Sequence, residues 1–166
     1  MNRFKTLVAL ATISGAALSP AAYAQSADTT FDVTITITST CSIDAPAATD
    51  VAFGSHASTV TNIQAAGLLN VSCTPGTGYQ IALDEGDNAD GAGINARAMT
   101  DGTTLVPYQL YRDEARSAVW GQTLDTDTYS STGNGQIQQI QVFGEVPSAN
   151  FPAGTYTDTV TATITY

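Results

Sequence analysis

Lysine is nearly missing from this chain of 166 residues, and beyond residue 5 it is absent. Five basic residues face fifteen carboxylates, for a formal charge of -10. Partners that present phosphate are held by clustered lysine and arginine, so nucleic acid and anionic lipid are poor partner candidates. Histidine occurs once, His56, in a Ser/Thr-rich stretch with no G-x-S-x-G or equivalent nucleophile motif beside it. No phosphate loop and no metal-ligand spacing is present. Among so many acids, a carboxylate pair means little without a cleft. The chain therefore reads as a non-enzyme with no cofactor and no metal. No stretch keeps a helical period with caps at its ends. After the first residues no apolar run is long enough to anchor the product in a membrane.

The first residues have the pattern of a secretory signal. Arg3 and Lys5 precede an apolar stretch from Leu7 to Ala17, and Ala22-Tyr23-Ala24 has the small-x-small form of a cleavage site. Cleavage after Ala24 is expected, with Gln25 as the new N-terminus. That divides the chain into a signal peptide (1–24), an N-terminal extension (25–39) and one domain (40–166). Loss of the signal leaves Arg97, Arg112 and Arg116 as the only basic side chains apart from His56, and moves the formal charge from -10 to -12. Solubility outside the cell is the plain reading of that acidity. In the oxidising compartment that export implies, the isolated pair Cys41 and Cys73 reads as a disulfide. Closing that loop stabilises by roughly 3–4 kcal/mol in the chain-entropy model.

The strongest pattern lies just before Cys41. In Thr30 to Thr38, TFDVTITIT, the residues Phe31, Val33, Ile35 and Ile37 share one side of an extended chain, and threonines and Asp32 share the other. Such alternation signals a strand with one buried face. A strand this close to a free end can pair within its own sheet or be lent to a neighbour's. Further strands are expected at Val51–Gly54, Leu68–Cys73, Tyr79–Leu83, Ala98–Met99 and Leu105–Tyr111. In the last, Pro107 marks an edge or a bulge. Val119–Trp120 follows, then Gln136–Val146, with Ile140, Val142 and Gly144 on one side. Turns are expected at Ala45–Ala47, Thr74–Gly76, Asp101–Gly102 and Pro147–Gly154, and a Ser/Thr-rich connection runs through His56 to Asn62. The chain closes on Tyr156 to Tyr166, where threonine fills every odd position. The even positions Tyr156, Val160, Ala162, Ile164 and Tyr166 are apolar, with Asp158 as an unexplained exception. Many short strands set off by Gly, Pro and Asx turns indicate an all-β sandwich.

The run from Tyr108 to Arg116, YQLYRDEAR, followed by Trp120-Gly121, resembles the spore coat protein U domain. So does the run from Pro152 to Val160, PAGTYTDTV, leading to a terminal aromatic residue. That domain also builds the subunits of archaic, Csu-type chaperone-usher pili. The order of parts is similar as well: signal, alternating strand, Cys41, Cys73, the arginine-rich segment and a threonine-rich final strand. The resemblance implies an immunoglobulin-like β-sandwich that lacks its last strand. It further implies a periplasmic chaperone that holds the open sheet, and an outer-membrane usher that exchanges the chaperone for the next subunit's N-terminal strand. On that scheme Phe31, Val33, Ile35 and Ile37 are donated, and the C-terminal strand contacts chaperone and polymer. An uncovered sheet edge invites such pairing, and an added strand supplies main-chain hydrogen bonds and side chains for alternate pockets. Giver and receiver surfaces differ, so the contact is head-to-tail and builds a filament of copies or related subunits. The function expected is that of a secreted subunit of a surface pilus, supporting attachment and biofilm formation.

Other readings stand beside it. A carbohydrate- or surface-binding sandwich, such as an adhesin, would use Trp120 as a sugar platform, although a lone tryptophan in a sandwich is more often core. A coat around a spore or cyst would use the same assembly chemistry. The acidic loop with Asp84, Glu85, Asp87 and Asp90 invites calcium but misses the EF-hand spacing, since Arg97 stands where the bidentate glutamate belongs. Arg112, Asp113, Glu114 and Arg116 read as local ion pairs near a strand end.

Overall fold

The computed structural model describes residues 23–43, 47–89, 91 and 93–166. The expected signal up to residue 22, the turn at Ala45–Pro46 and Asp90 lie outside those residues. The chain divides into a first unit, residues 1–35, and a second, residues 36–166.

The second unit is built on two long strands, β2 (Thr61–Cys73) and β8 (Ile137–Ser148), paired antiparallel with Thr61 opposite Ser148 and Ser72 opposite Ile137. A short strand, β1 (Cys41–Ile43), lies along the far side of β2, with Cys41 opposite Cys73. Beyond β8 comes β6 (Gln109–Tyr111), which completes a four-stranded sheet in the order β1-β2-β8-β6. A second sheet sets β3 (Gly78–Leu83) between β7 (Tyr129–Thr132) and the C-terminal β9 (Ala162–Thr165). A hairpin, β4 (Ala98–Thr100) and β5 (Leu105–Pro107), forms the third. Among the described residues the only helical element is a 3₁₀ turn at Gly93–Ala96, and no helix is long and apolar enough to cross a membrane. The fold is all-β and antiparallel, as its turn-punctuated sequence indicates.

Alternation decides what goes inside. Ile63 and Val71 of β2 and Ile140, Val142 and Val146 of β8 point inward and meet Tyr79, Ile81 and Leu83 of β3 in one buried cluster with Val106, Leu110 and Trp120. Val51 and Phe53 pack on the inner face of the long pair, and this needs bare backbone beneath them. A side chain at Gly67 would run into the Thr49 carbonyl and Val51, and one at Gly144 into Val51 and Phe53.

Several expected elements differ. Val51–Gly54 forms no strand: its main chain leaves β2 after the single bridge from Thr49 to Leu68 and serves to bring Val51 and Phe53 onto the core. β2 begins at Thr61, inside the expected Ser/Thr-rich connection, because its first two residues are solvent-facing and need no apolar side chains. Leu105–Tyr111 is two strands in two sheets. Pro107 brings no N–H to a ladder, and at the next residue Tyr108 N donates to Arg97 O at 3.0 Å while its ring turns into the core. Val119 makes one bridge, to Tyr111. The Asp101–Gly102 turn is present. Asp101 Oδ1 accepts from Thr103 N at 2.9 Å and Thr104 N at 2.7 Å, which holds its carboxyl below the usual range.

Candidate functional site

Residues 30–38 are in no strand, so the alternating stretch expected to bury one face does not do so here. Phe31, Val33, Ile35 and Ile37 are 82%, 84%, 84% and 75% exposed. Their regular spacing leaves an apolar ribbon in solvent, where a buried strand face would be expected.

The domain has two unpaired sheet edges near each other. β1 ends the four-stranded sheet, β9 ends the three-stranded one, and the two strands lie side by side without a ladder between them. Register turns their apolar residues inward: Ile43 is opposite Val71, Ile164 opposite Ile81 and Ala162 opposite Leu83. The inner partners Val71, Ile81 and Leu83 are fully covered, yet Cys41, Ile43, Val160, Ala162 and Ile164 are only partly buried. These two edges, or lips, therefore leave their apolar residues incompletely covered. Tyr156 is half-buried, its hydroxyl donating to Pro152 O at 2.8 Å, and Tyr166 is 59% exposed.

Each lip is pinned. Cys41 and Cys73 form the expected disulfide, Sγ–Sγ 2.01 Å, which ties three-residue β1 to β2. On the other side, the acidic loop after β3 extends the β9 pairing. Asp84 N donates to Thr161 O at 3.1 Å, Thr161 N to Asp84 Oδ1 at 2.9 Å, and Asp87 N to Thr159 O at 3.1 Å. Asp158 is explained here. It accepts from Asn88 N at 3.2 Å, Asn88 Nδ2 at 2.7 Å and Tyr108 OH at 2.6 Å. Burial, and then this bond to a carboxylate, raise the Tyr108 phenol well above its ordinary value. The loop's polar groups thus serve to hold the strand before β9.

Beneath that loop lies Arg97, 0% exposed, which the residue pattern does not mark. Its Nε donates to Asp84 O at 2.9 Å, Nη1 to Gln109 Oε1 at 2.9 Å, and Nη2 to Leu83 O at 2.9 Å. Burial lowers its pKa, while Tyr108 and the carboxylates of Asp84, Asp158 and Asp127 oppose the shift. A cue existed in the sequence: one of only three arginines beyond residue 5 stands immediately before an expected strand.

The expected ion pairs at 112–116 are corrected. Arg112 Nη1 donates to Thr128 O at 2.8 Å, and Arg116 donates to Gly144 O at 3.2 Å and Glu114 O at 2.9 Å while lying over the Phe143 ring. Asp113 accepts from Ser117 Oγ at 2.7 Å and Ala118 N at 2.8 Å, which holds its carboxyl below the usual range. These side chains thus bind main-chain groups of the loops and of β8 rather than one another. Trp120 is fully buried, its indole N–H donating to Ile81 O at 2.8 Å and its ring 5.5 Å from that of Tyr129, so it offers no sugar platform. His56 is exposed, with Nε2 2.6 Å from Phe53 O.

Residues 27–163 match the family model described as Spore Coat Protein U domain. Protein U of Myxococcus xanthus is 35% identical over 181 residues, covering 100% of both chains. A solved chain with TM-score 0.56 and 25% identity comes from the chaperone–tip adhesion subunit pre-assembly complex of archaic chaperone-usher Csu pili of Acinetobacter baumannii. The match covers 79% of this chain and spans 41% of the length of that one.

Proposed function

Since the chain belongs to the Spore Coat Protein U domain family, we propose that it is a secreted structural subunit that polymerises by donor-strand exchange into a surface pilus or coat. The observation that carries this reading is an exposed apolar ribbon in a chain whose two neighbouring sheet edges share no ladder, the proposed opening. Phe31, Val33, Ile35 and Ile37 stand in solvent, while Ile43, Val160, Ala162 and Ile164 lie only partly buried along the two lips. A ribbon from one copy laid between β1 and β9 of another joins the two sheets and covers the core. Its N–H and C=O groups pair with both edges, and its four apolar side chains fill the inner positions. Burying them contributes on the order of 1.5–3 kcal/mol each, as an upper estimate.

Before assembly the lips need a cover, or unpaired edges beside an open core aggregate. A periplasmic chaperone would supply it through contacts with Tyr156, Val160, Ala162, Ile164 and Tyr166, and an outer-membrane usher would catalyse the exchange. The likeness to a chain from the Csu chaperone–subunit complex supports the first of these partners. The match to the Spore Coat Protein U domain gives the coat reading equal support. Either product would serve attachment and biofilm or shell formation by the same joint. Replacing Ile35 and Ile37 together by Asp tests the joint. Fibres should disappear while monomer persists, and fibres of normal length would remove the donor role.

A further inference from the structure

The ribbon runs into β1 through Thr38, Ser39 and Thr40, whose hydrogen bonds among the described residues go to one residue. Thr74 N donates to Thr40 O at 2.9 Å, and Thr40 N donates to Thr74 Oγ1 at 3.1 Å. The Thr74 hydroxyl also has Thr40 O at 3.3 Å and Thr38 O at 3.5 Å as acceptors. These bonds carry the pairing of Cys41 with Cys73 one step further, to Thr40 opposite Thr74. Residues 38–43 are thereby held in one line along the end of β2. Thr74 is itself fixed. It follows the disulfide-bonded Cys73 and opens a turn in which Thr77 N donates to Thr74 O at 3.1 Å, with Pro75 and Gly76 (φ 81°) between them. Proline and then a positive-φ glycine at those two places make a rigid type II turn.

Resting on the donor reading above, we propose that Thr74 is a positioning residue that makes donation intermolecular. On that reading the opening is reached along the unpaired edge of β1, on the side away from β2. A ribbon entering its own opening must reverse between Thr38 and Cys41. That reversal breaks the bonds to Thr74, and the tight hairpin loops that would make it favour positive φ, for which the segment Thr-Ser-Thr offers no glycine, asparagine or aspartate. Two independent features therefore oppose self-insertion: the contacts that hold the segment straight and a composition that resists bending it. The ribbon is left available to a second copy.

The test compares the protein from Gln25 onward as wild type, Thr74→Val and Thr74→Ser. Monomer and polymer are separated by size exclusion, and amide hydrogen exchange is measured over residues 31–37 in the monomer. Wild-type monomer should exchange there without protection. Thr74→Val should raise the fraction of monomer with a protected ribbon by roughly two- to ten-fold, the effect of one ordinary hydrogen bond on an equilibrium, and polymer should fall. Thr74→Ser, which keeps the hydroxyl, should behave as wild type. If Thr74→Val does not fold, a run of glycines inserted between Ser39 and Thr40 supplies the turn and should give protected monomer. A protected ribbon in wild-type monomer overturns the proposal, as does unchanged polymerisation of both altered chains. Ile35→Asp with Ile37→Asp, run in parallel, separates the two ideas. Normal fibres there reject donation itself, whereas lost fibres with an indifferent Thr74→Val reject only the positioning role.

Discussion

Tyr108 donates its hydroxyl proton to Asp158 at 2.6 Å, joining positions fifty residues apart. Tyr108 sits where the chain passes from β5 to β6, and Asp158 lies in the segment that leads into β9. One bond thus ties the core crossover to a lip of the opening. Tyr108→Phe and Asp158→Asn should each destabilise by about 1.5–3 kcal/mol, the range for a hydrogen bond to a charged group. The double variant should cost less than the sum, since both remove the same bond. Denaturant midpoints of the four proteins check this.

Tyr79, Tyr108 and Tyr111 are all raised above 10.0, in each case chiefly by burial. The folded state therefore holds these phenol protons more tightly than the unfolded chain does. Their contribution is intact below pH 10 and is lost as pH climbs above it. Stability should fall steeply on the alkaline side, with tyrosinate absorbance appearing together with unfolding. In Tyr108→Phe the decline should be shallower.

Arg97→Lys should be poorly tolerated despite keeping the charge. A lysine ammonium cannot reproduce the planar reach to Asp84 O, Leu83 O and Gln109 Oε1 at once. Each buried acceptor left without a donor costs about 1–3 kcal/mol. A thermal scan should show a large drop in midpoint, and amides at 157–161 should exchange faster because Asp84 no longer fixes Thr161.

Proteases that cut after lysine or arginine meet only three sites beyond residue 5, and none is freely presented. Arg97 is buried, and Arg112 and Arg116 are half-buried with bonds to carbonyls. Trypsin should leave the folded domain largely intact. The first cut should follow Arg116, where Glu114, Ala115 and Ser117 are exposed, and the cut after Arg97 should wait for global unfolding. A timed digest read by mass spectrometry gives the order.

Much of this architecture was legible where alternation is strict and burial is one-sided. Ile140 and Val142 point inward as their spacing says, and the two cysteines pair as expected. What escaped depends on tertiary partners. Nothing local distinguishes Leu105–Tyr111 as one strand from two, because Tyr108 turns away only to reach Arg97 and Asp158. Val51–Gly54 has strand composition but fills space over two glycines remote in sequence. Arg112 and Arg116 beside Asp113 and Glu114 look like charge partners, yet the carbonyls of Thr128, Gly144 and Glu114 claimed the guanidinium groups. The lips of the opening escaped altogether, since an unpaired edge is a property of topology that no single strand carries.

The central claim is that the sandwich is completed by a segment it does not supply to itself. Thermal unfolding of the chain from Thr40 onward, alone and with a synthetic peptide of residues 29–39, tests it most directly. Alone, that chain should aggregate or melt early and broadly. The peptide should restore a cooperative transition at higher temperature, and a peptide with Asp at positions 35 and 37 should not. A soluble monomer that melts cooperatively by itself, with a midpoint the peptide leaves unmoved, would contradict the account.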